Sequence, residues 1–510
     1  MKKGYFVTFL ILSLLGLLDS IFLTWEHYAL ASVGCPVTPT INCLAVTTSI
    51  YSEIFGIPLA LFGIVYYSSL ITFLFLSRKQ KMFLHFYILL SIFGILFSVY
   101  LVFIQSLLIK MYCIYCLISA GLSFFNFIFG LIFFKSEYKT LVVDTFGYAY
   151  KYILKPILFL FDAEFVHENM VKIGESLPKF IINIFNKIFG KRYSNLKQNI
   201  LGLNFYSPVG LSAGFDYEAR LTSVLSSLGF GFGTIGTISN SVYEGNPAPR
   251  LGRLPKSLSL LVNKGFKNLG IVETLKKLES LKFKHHLGVS IGRTNSAVLD
   301  TNDKSIIDVI EAFKKVKKLK LNNSYYELNI SCPNLINSVN VKFYDLKVLE
   351  KLLTEVDKLN LEKPVFVKMP IDQTENYTLQ MLKVIEKHKI KGVIFGNLQT
   401  NKNHPSLNKE EVNQFKMGKY SGKPTFEASN ALIKLAFKNF RNRFVIIGTG
   451  GIFNADDAWI KITNGASLVQ LITGMIFEGP QLIAQINRDL SEIVKQKGFK
   501  NIRDAVGSAV

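Results

Sequence analysis

The sequence predicts two fold classes in one chain. A four-helix, all-α membrane bundle is followed by an α/β part, a (β/α)8 barrel entered through an amphipathic helical cap. Three observations predict this. Composition breaks sharply: residues 1–135 are rich in Phe, Leu and Ile, whereas 190–510 read as an ordinary Lys-rich α/β protein. Eight short β-branched runs alternate with helical stretches after residue 200. Four of the five cysteines lie in the apolar third. A chain of 510 residues holds two or three domains, expected here at 1–140, 141–195 and 196–510.

Four segments, near 4–25, 55–77, 82–108 and 111–134, are apolar over the roughly 20 residues that cross a bilayer. The first is too long, and lacks the small-residue cleavage site, for a simple signal peptide. Lys2 and Lys3 precede span one, Arg78, Lys79 and Lys81 separate spans two and three, and Lys135 and Lys139 follow span four. The loop 26–54 has no Lys or Arg. The positive-inside rule therefore predicts cytoplasmic termini and an outside loop. Asp19 within span one is costly in lipid and has no assigned role.

That topology puts Cys35, Cys43, Cys113 and Cys116 on one face, the oxidising one. A Cys-x-x-Cys at a helix N-terminus has its thiolate favoured by the helix dipole and can exchange disulfides. A second pair eight residues apart can relay electrons from an outside partner. The same four residues also suit two structural disulfides stapling a small loop. Ser49 reads equally as a cap of a short loop helix or as a site residue.

Cys35, Cys43, Ser49, the stretch Gly56-Ile57-Pro58-Leu59 and Cys113-Ile114-Tyr115-Cys116, over residues 5–135, together resemble the vitamin K epoxide reductase family. The resemblance implies that Cys113 and Cys116 are the active pair beside a quinone, with Cys116 facing the ring. It implies that Cys35 and Cys43 shuttle electrons from a thioredoxin-like protein, and that Ser49 lies near the quinone head.

Between 145 and 190, apolar residues recur at three- and four-residue steps with Lys on the other face. This predicts two short amphipathic helices, on a membrane surface or as ordinary core helices. The stretch LKPILFLFDAEFVHENM resembles the helical cap of class 2, membrane-associated dihydroorotate dehydrogenases. In that family the cap forms a quinone tunnel, and His167 matches a tunnel residue.

The eight runs fall near 208–213, 232–238, 286–291, 325–331, 364–369, 392–396, 444–449 and 467–473. Eight βα units in this length predict a closed barrel, with a doubly wound open sheet as the other reading. Barrel enzymes place chemistry at the C-terminal strand ends, where the unusual residues fall. Glycines after strands seven and eight let backbone N–H groups approach a phosphate, pointing to a phosphate-bearing cofactor.

The segments 208–216, 245–254, 329–334, 365–370, 468–470 and 477–480 carry a resemblance to the dihydroorotate dehydrogenases from about 150 to the C-terminus. It implies FMN held by Ala213, Gly214, Thr237, Asn329, Lys368, Gly422, Gly451, Ile472 and Thr473. It implies substrate contacts from Asn329, Asn334 and Asn397, and Arg253 facing the flavin and quinone tunnel. The implied reaction takes a C5 proton and a C6 hydride from dihydroorotate, with Cys332 as base and a membrane quinone as final acceptor. A thiolate suits that task where nearby polarity lowers its pKa.

Four positions depart from the class 2 pattern. Cys332 stands where that class has Ser, Tyr217 where the family has Lys, Lys267 where it has Asn, and Ser290 where it has Asn. Lys267 can grip a substrate carboxylate, or mark another substrate, or mark a degenerate barrel that anchors the thiol-oxidising domain. The formal charge of +22 is widely spread Lys without a basic, aromatic-interleaved stripe, which argues against nucleic-acid binding. It reads as solvated surface or as attraction to anionic lipid. No metal site is expected.

Overall fold

The computed structural model describes residues 3–30, 33–138, 140–279, 281, 285–319 and 321–510. Lys2 and Lys139, used above to orient the spans, and the Lys3 side chain lie outside the described residues. The chain divides into two compact units, 1–148 and 149–510.

The first unit holds four helices long and apolar enough to cross a membrane: α1 (Lys3–Ala29), α3 (Leu59–Leu76), α4 (Lys81–Phe103, extended by a π-helical turn Ile104–Ile109) and α5 (Ile114–Phe133). A short α2 (Cys43–Thr47) sits in the first loop. Span two starts at Leu59 rather than near 55. The six preceding residues hold a small antiparallel pair, Glu53–Ile54 with Ile57–Pro58, turning at Gly56 with φ +74°. The bundle core is aromatic: Phe9, Tyr67 and Tyr87 are buried together with Leu70, Leu74 and Ile88. After α5 come α6 (Lys135–Tyr138) and α7 (Leu141–Ala149).

The second unit opens with more helix than the two amphipathic segments expected. A π-helical turn Tyr150–Leu154 and α8 (Lys155–Leu158) precede the pair α9 (Ala163–Ser176) and α10 (Lys179–Ile188). Local chemistry cuts the stretch. Asp162 caps α9 by accepting from Phe165 N at 2.9 Å. Leu177, ahead of Pro178, is extended, as a residue before proline prefers.

Eight parallel strands follow: β1 (Val209–Leu211), β2 (Phe232–Ile238), β3 (His286–Ile291), β4 (Tyr325–Asn329), β5 (Val365–Met369), β6 (Gly392–Phe395), β7 (Val445–Thr449) and β8 (Leu468–Leu471). Each pairs with its neighbour in sequence, and β8 pairs with β1 (Val469 with Val209), closing the barrel. That closure excludes the open sheet. The strands read as unbroken apolar runs because both of their faces are buried. Phe205, Phe232, Tyr325, Phe366, Ile394, Ile447 and Leu468 pack as one cluster at the N-terminal end, so the polar residues gather at the other.

Candidate active sites

At the C-terminal strand ends a cavity of about 100 Å³ is lined by Ala213, Lys368, Asn397, Gly422, Gly451, Ile472 and Thr473, among others. Two glycines there have no room for a side chain. At Gly451 (φ +71°) a Cβ would stand 2.6 Å from Phe426 Cβ, and at Gly422 (φ +79°) 2.4 Å from the Leu258 carbonyl oxygen. Bare backbone therefore faces the cavity where β7 and β8 end. Gly214, turned at φ +110°, donates its N–H to Gly236 O at 2.7 Å and ties the end of β1 to β2.

A buried polar chain runs beneath this cavity. Asn329 Nδ2 donates to Thr237 Oγ1 at 2.8 Å, Thr237 Oγ1 meets Ser290 Oγ at 2.9 Å, and Ser290 Oγ donates to Glu327 Oε1 at 2.7 Å. Lys368 Nζ stands 3.7 Å from the same carboxylate oxygen and donates to Ser212 Oγ at 3.5 Å. Glu327 is fully buried and was missed in the sequence. Its signal was an acid inside the apolar run Tyr-Tyr-Glu-Leu-Asn on β4. Ser290, a departure from the family pattern, is the link that passes the chain to it.

Cys332 follows β4 and is half-buried. Burial pushes its thiol up to about 11, against the opposing pull of the Asn334 backbone, Lys368 and Arg293. The expected lowering by local polarity is therefore not met, and at neutral pH the group is a thiol. Asn334 Nδ2 donates to Val262 O at 2.9 Å, its own carbonyl accepts from Asn246 Nδ2 at 2.9 Å, and Asn397 Nδ2 donates to Ser331 Oγ at 2.5 Å.

The cap helix α9 faces the barrel with His167, Glu164 and Glu168. The His167 ring lies 4.8 Å from Phe215 and 6.4 Å from Tyr217. Burial, with Lys264, Lys267 and Arg220 nearby, lowers its pKa to about 3, so it is neutral. Lys267 pairs with the cap: its Nζ is 2.7 Å from Glu168 and 3.5 Å from Glu164. Lys264, not singled out in the sequence, is buried with its Nζ 4.9 Å from the centre of the Tyr217 ring. Arg253 lies 4.6 Å over the Phe159 ring and donates to Phe161 O at 2.7 Å, both in the stretch just before α9.

In the first unit, Cys35 and Cys43 are joined as a disulfide. They pack in one cluster with Cys113 and Cys116, which are free thiols. Cys113 caps α5: its Sγ accepts from Cys116 N at 3.3 Å, while its own N–H donates to Gln105 Oε1 at 2.9 Å. An apolar cavity of about 400 Å³ is lined by Cys116, Ser49, Gln105, Ser119, Tyr66 and Tyr67, among others. Ser49 closes α2 at its C-terminal end, donating to Val46 O at 2.8 Å, and does not cap its start. One Asp19 carboxylate oxygen is buried without a hydrogen-bond partner.

A closed barrel with polar side chains at its C-terminal mouth, joined to a four-helix apolar bundle that gathers four cysteines, defines a two-domain redox-type architecture. The family model described as dihydroorotate dehydrogenase matches residues 195–494. The vitamin K epoxide reductase family matches residues 7–131. Dihydroorotate dehydrogenase (quinone) of Trichodesmium erythraeum is 32% identical over 383 residues, covering 71% of this chain and 98% of that protein. The enzyme of the same name from Christiangramia forsetii is 35% identical over 350 residues, covering 67% and 99%. DHODH from Eimeria tenella, solved in complex with ferulenol, superimposes with a TM-score of 0.56 at 26% identity, over 66% of this chain and 96% of that one. The chain belongs to the dihydroorotate dehydrogenase family, with a vitamin K epoxide reductase family domain ahead of the barrel.

Proposed function

We propose that the barrel oxidises dihydroorotate to orotate with FMN as its cofactor and a membrane quinone as acceptor. The bundle, in turn, passes electrons from an external thioredoxin-like dithiol to the same kind of quinone. The observation that carries the first half is the chain Asn329–Thr237–Ser290–Glu327 with Lys368, set beneath a cavity rimmed by bare glycine backbone.

These residues fit FMN. Gly451, Ile472 and Thr473 offer backbone to a phosphate, and Ala213 and Gly214 offer a surface free of bulk to the ring. Lys368 offers a cation to the ring's reducible edge, with Thr237, Asn329 and Gly422 completing the set. A flavin bound there would supply a two-electron acceptor for the substrate's hydride and a donor to quinone. Asn329, Asn334 and Asn397 suit a neutral imide because each amide donates and accepts at once. Cys332 Sγ takes the substrate's C5 proton; with the thiol favoured at rest, it must first lose its own. His167, neutral and against the Phe215 ring, and Arg253, over the Phe159 ring, suit the quinone's path beneath the cap. The test is dihydroorotate-dependent reduction of a soluble quinone analogue, lost in Cys332→Ala. Flavin-loaded protein without that turnover rejects the assignment.

The second half is supported by Cys116 lining the cavity while Cys113 caps its helix and the disulfide Cys35–Cys43 packs alongside. This reading places Ser49 near the quinone head, the protein in the cell membrane and the cysteines outside. Oxidation of a reduced thioredoxin-like protein by the full chain with quinone, lost in Cys116→Ser, tests it.

A further inference from the structure

One face of α5 carries small and polar residues in its middle turns. Ser119, Ser123, Asn126 and Gly130 recur at four- and three-residue steps, so they share one stripe, and the last three are buried in the bundle. Small and hydrogen-bonding residues also pack helices together within a bilayer, but intramembrane polar groups are costly enough to mark a function where they run on beyond one contact.

The stripe is matched by hydroxyls from the neighbouring helices. At the cavity end, Tyr67 OH donates to Ser119 O at 2.8 Å and lies 3.1 Å from Ser123 Oγ. The Tyr66 hydroxyl presses on α4, where a Cβ at Gly94 would fall 2.0 Å from it. Two turns further along α4, Tyr87 OH donates to Asn126 Oδ1 at 2.6 Å. Beyond that, the Tyr138 hydroxyl lies where a Cβ at Gly130 would be 3.0 Å away. At the far end, fully buried His85 has its Nε2 3.3 Å from Glu137 Oε2, and the half-exposed Lys81 reaches the same oxygen at 2.8 Å. The line thus starts beside Cys116 and ends at the opposite end of α5.

Several atoms along it are buried without hydrogen-bond partners: Tyr66 OH, Ser13 Oγ, Tyr138 OH and His85 Nδ1. Dry, each would be destabilising. Roomy polar interiors resolve such a cost with bound water, and hydroxyls alternating with water carry protons.

We propose that this line conducts protons from the His85–Glu137 end to the cavity at Cys116, so that thiol oxidation by this chain moves charge across the membrane. The inference rests on the thiol–quinone reading above. Two thiols lose two electrons and two protons as one S–S bond forms, and those protons leave on the cysteine side. The quinone takes the two electrons, and two protons drawn along the line, to become hydroquinone. Without the line the thiols' own protons would pass to the quinone and no charge would cross.

The test uses the full chain in liposomes with a ubiquinone analogue in the bilayer and a pH-sensitive dye inside. Valinomycin with potassium compensates charge. Reduced thioredoxin added outside cannot cross, so only molecules with cysteines outward turn over. The expected result is an alkaline interior, with two protons consumed per disulfide formed. Tyr87→Phe and Glu137→Gln are expected to keep thiol oxidation in detergent while interior uptake falls to near zero. Two independent positions guard against a folding defect in one. Sustained oxidation with constant interior pH, or full uptake in both variants, overturns the proton line while leaving the thiol–quinone reading intact. Absence of thiol oxidation in the unmodified chain overturns that reading and the line with it.

Discussion

The ammonium of Lys264 stands 4.9 Å from the centre of the Tyr217 ring, with Glu164 of the cap its nearest carboxylate at 4.0 Å. Tyr217 occupies the position where the family has Lys, and Lys264, from the loop after residue 262, sets its ammonium over that ring. Lys267, one possible grip for a substrate carboxylate, has its Nζ 2.7 Å from Glu168.

Lys264→Met is therefore expected to raise KM for dihydroorotate far more than it lowers kcat. A lost charge-assisted contact of roughly 1.5–3 kcal/mol corresponds to about 10- to 100-fold. Burial pushes the Lys264 ammonium down to about 8. Its charge is present below that pH and lost above it, so KM for this anionic substrate should climb as pH passes 8. Steady-state kinetics of both proteins across that range checks this; a flat KM in the native chain contradicts it.

The raised Cys332 thiol gives the opposite trend in kcat. With its pKa pushed up to about 11, the thiolate fraction grows about tenfold per pH unit throughout the neutral range. The proton-abstraction rate, read by single-turnover reduction of the flavin, should rise with the same slope. Cys332→Ala should lose about 10²- to 10⁴-fold. A rate that is level between neutral and alkaline pH rejects Cys332 as the base.

Glu327 and Lys368 are both buried and 3.7 Å apart. Removing one member of such a pair leaves an unpaired buried charge, so Lys368→Met should destabilise by roughly 3–5 kcal/mol. Lys368→Met with Glu327→Gln should recover much of that. Denaturant unfolding of the two variants measures it; equal stability of the single and double variants would refute the coupling.

The two halves should fail separately. Cys116→Ser is expected to abolish oxidation of a thioredoxin-like dithiol and to leave dihydroorotate turnover unchanged, since no barrel residue depends on it. Parallel assays on one preparation decide this, and joint loss of both activities would mean that electrons pass between the halves.

The barrel was legible because each strand is buried on both faces and therefore reads as an apolar, β-branched run, such as Val365–Met369. The spans were legible for a similar reason, since lipid demands unbroken apolarity. Less was legible where tertiary contact decides. Lys264 and Lys267 sit three residues apart in one loop, and only the position of Glu164 and Glu168 on α9 determines which is buried and which is drawn to the cap. Glu327 looked like an interruption of a strand until Ser290 and Lys368 surrounded it.

The most direct measurement is the flavin absorbance of detergent-purified full-length protein, followed anaerobically. The account predicts a bound flavin spectrum that bleaches on addition of dihydroorotate and returns on addition of a quinone analogue. A colourless protein, or a flavin that dihydroorotate leaves oxidised, would contradict it.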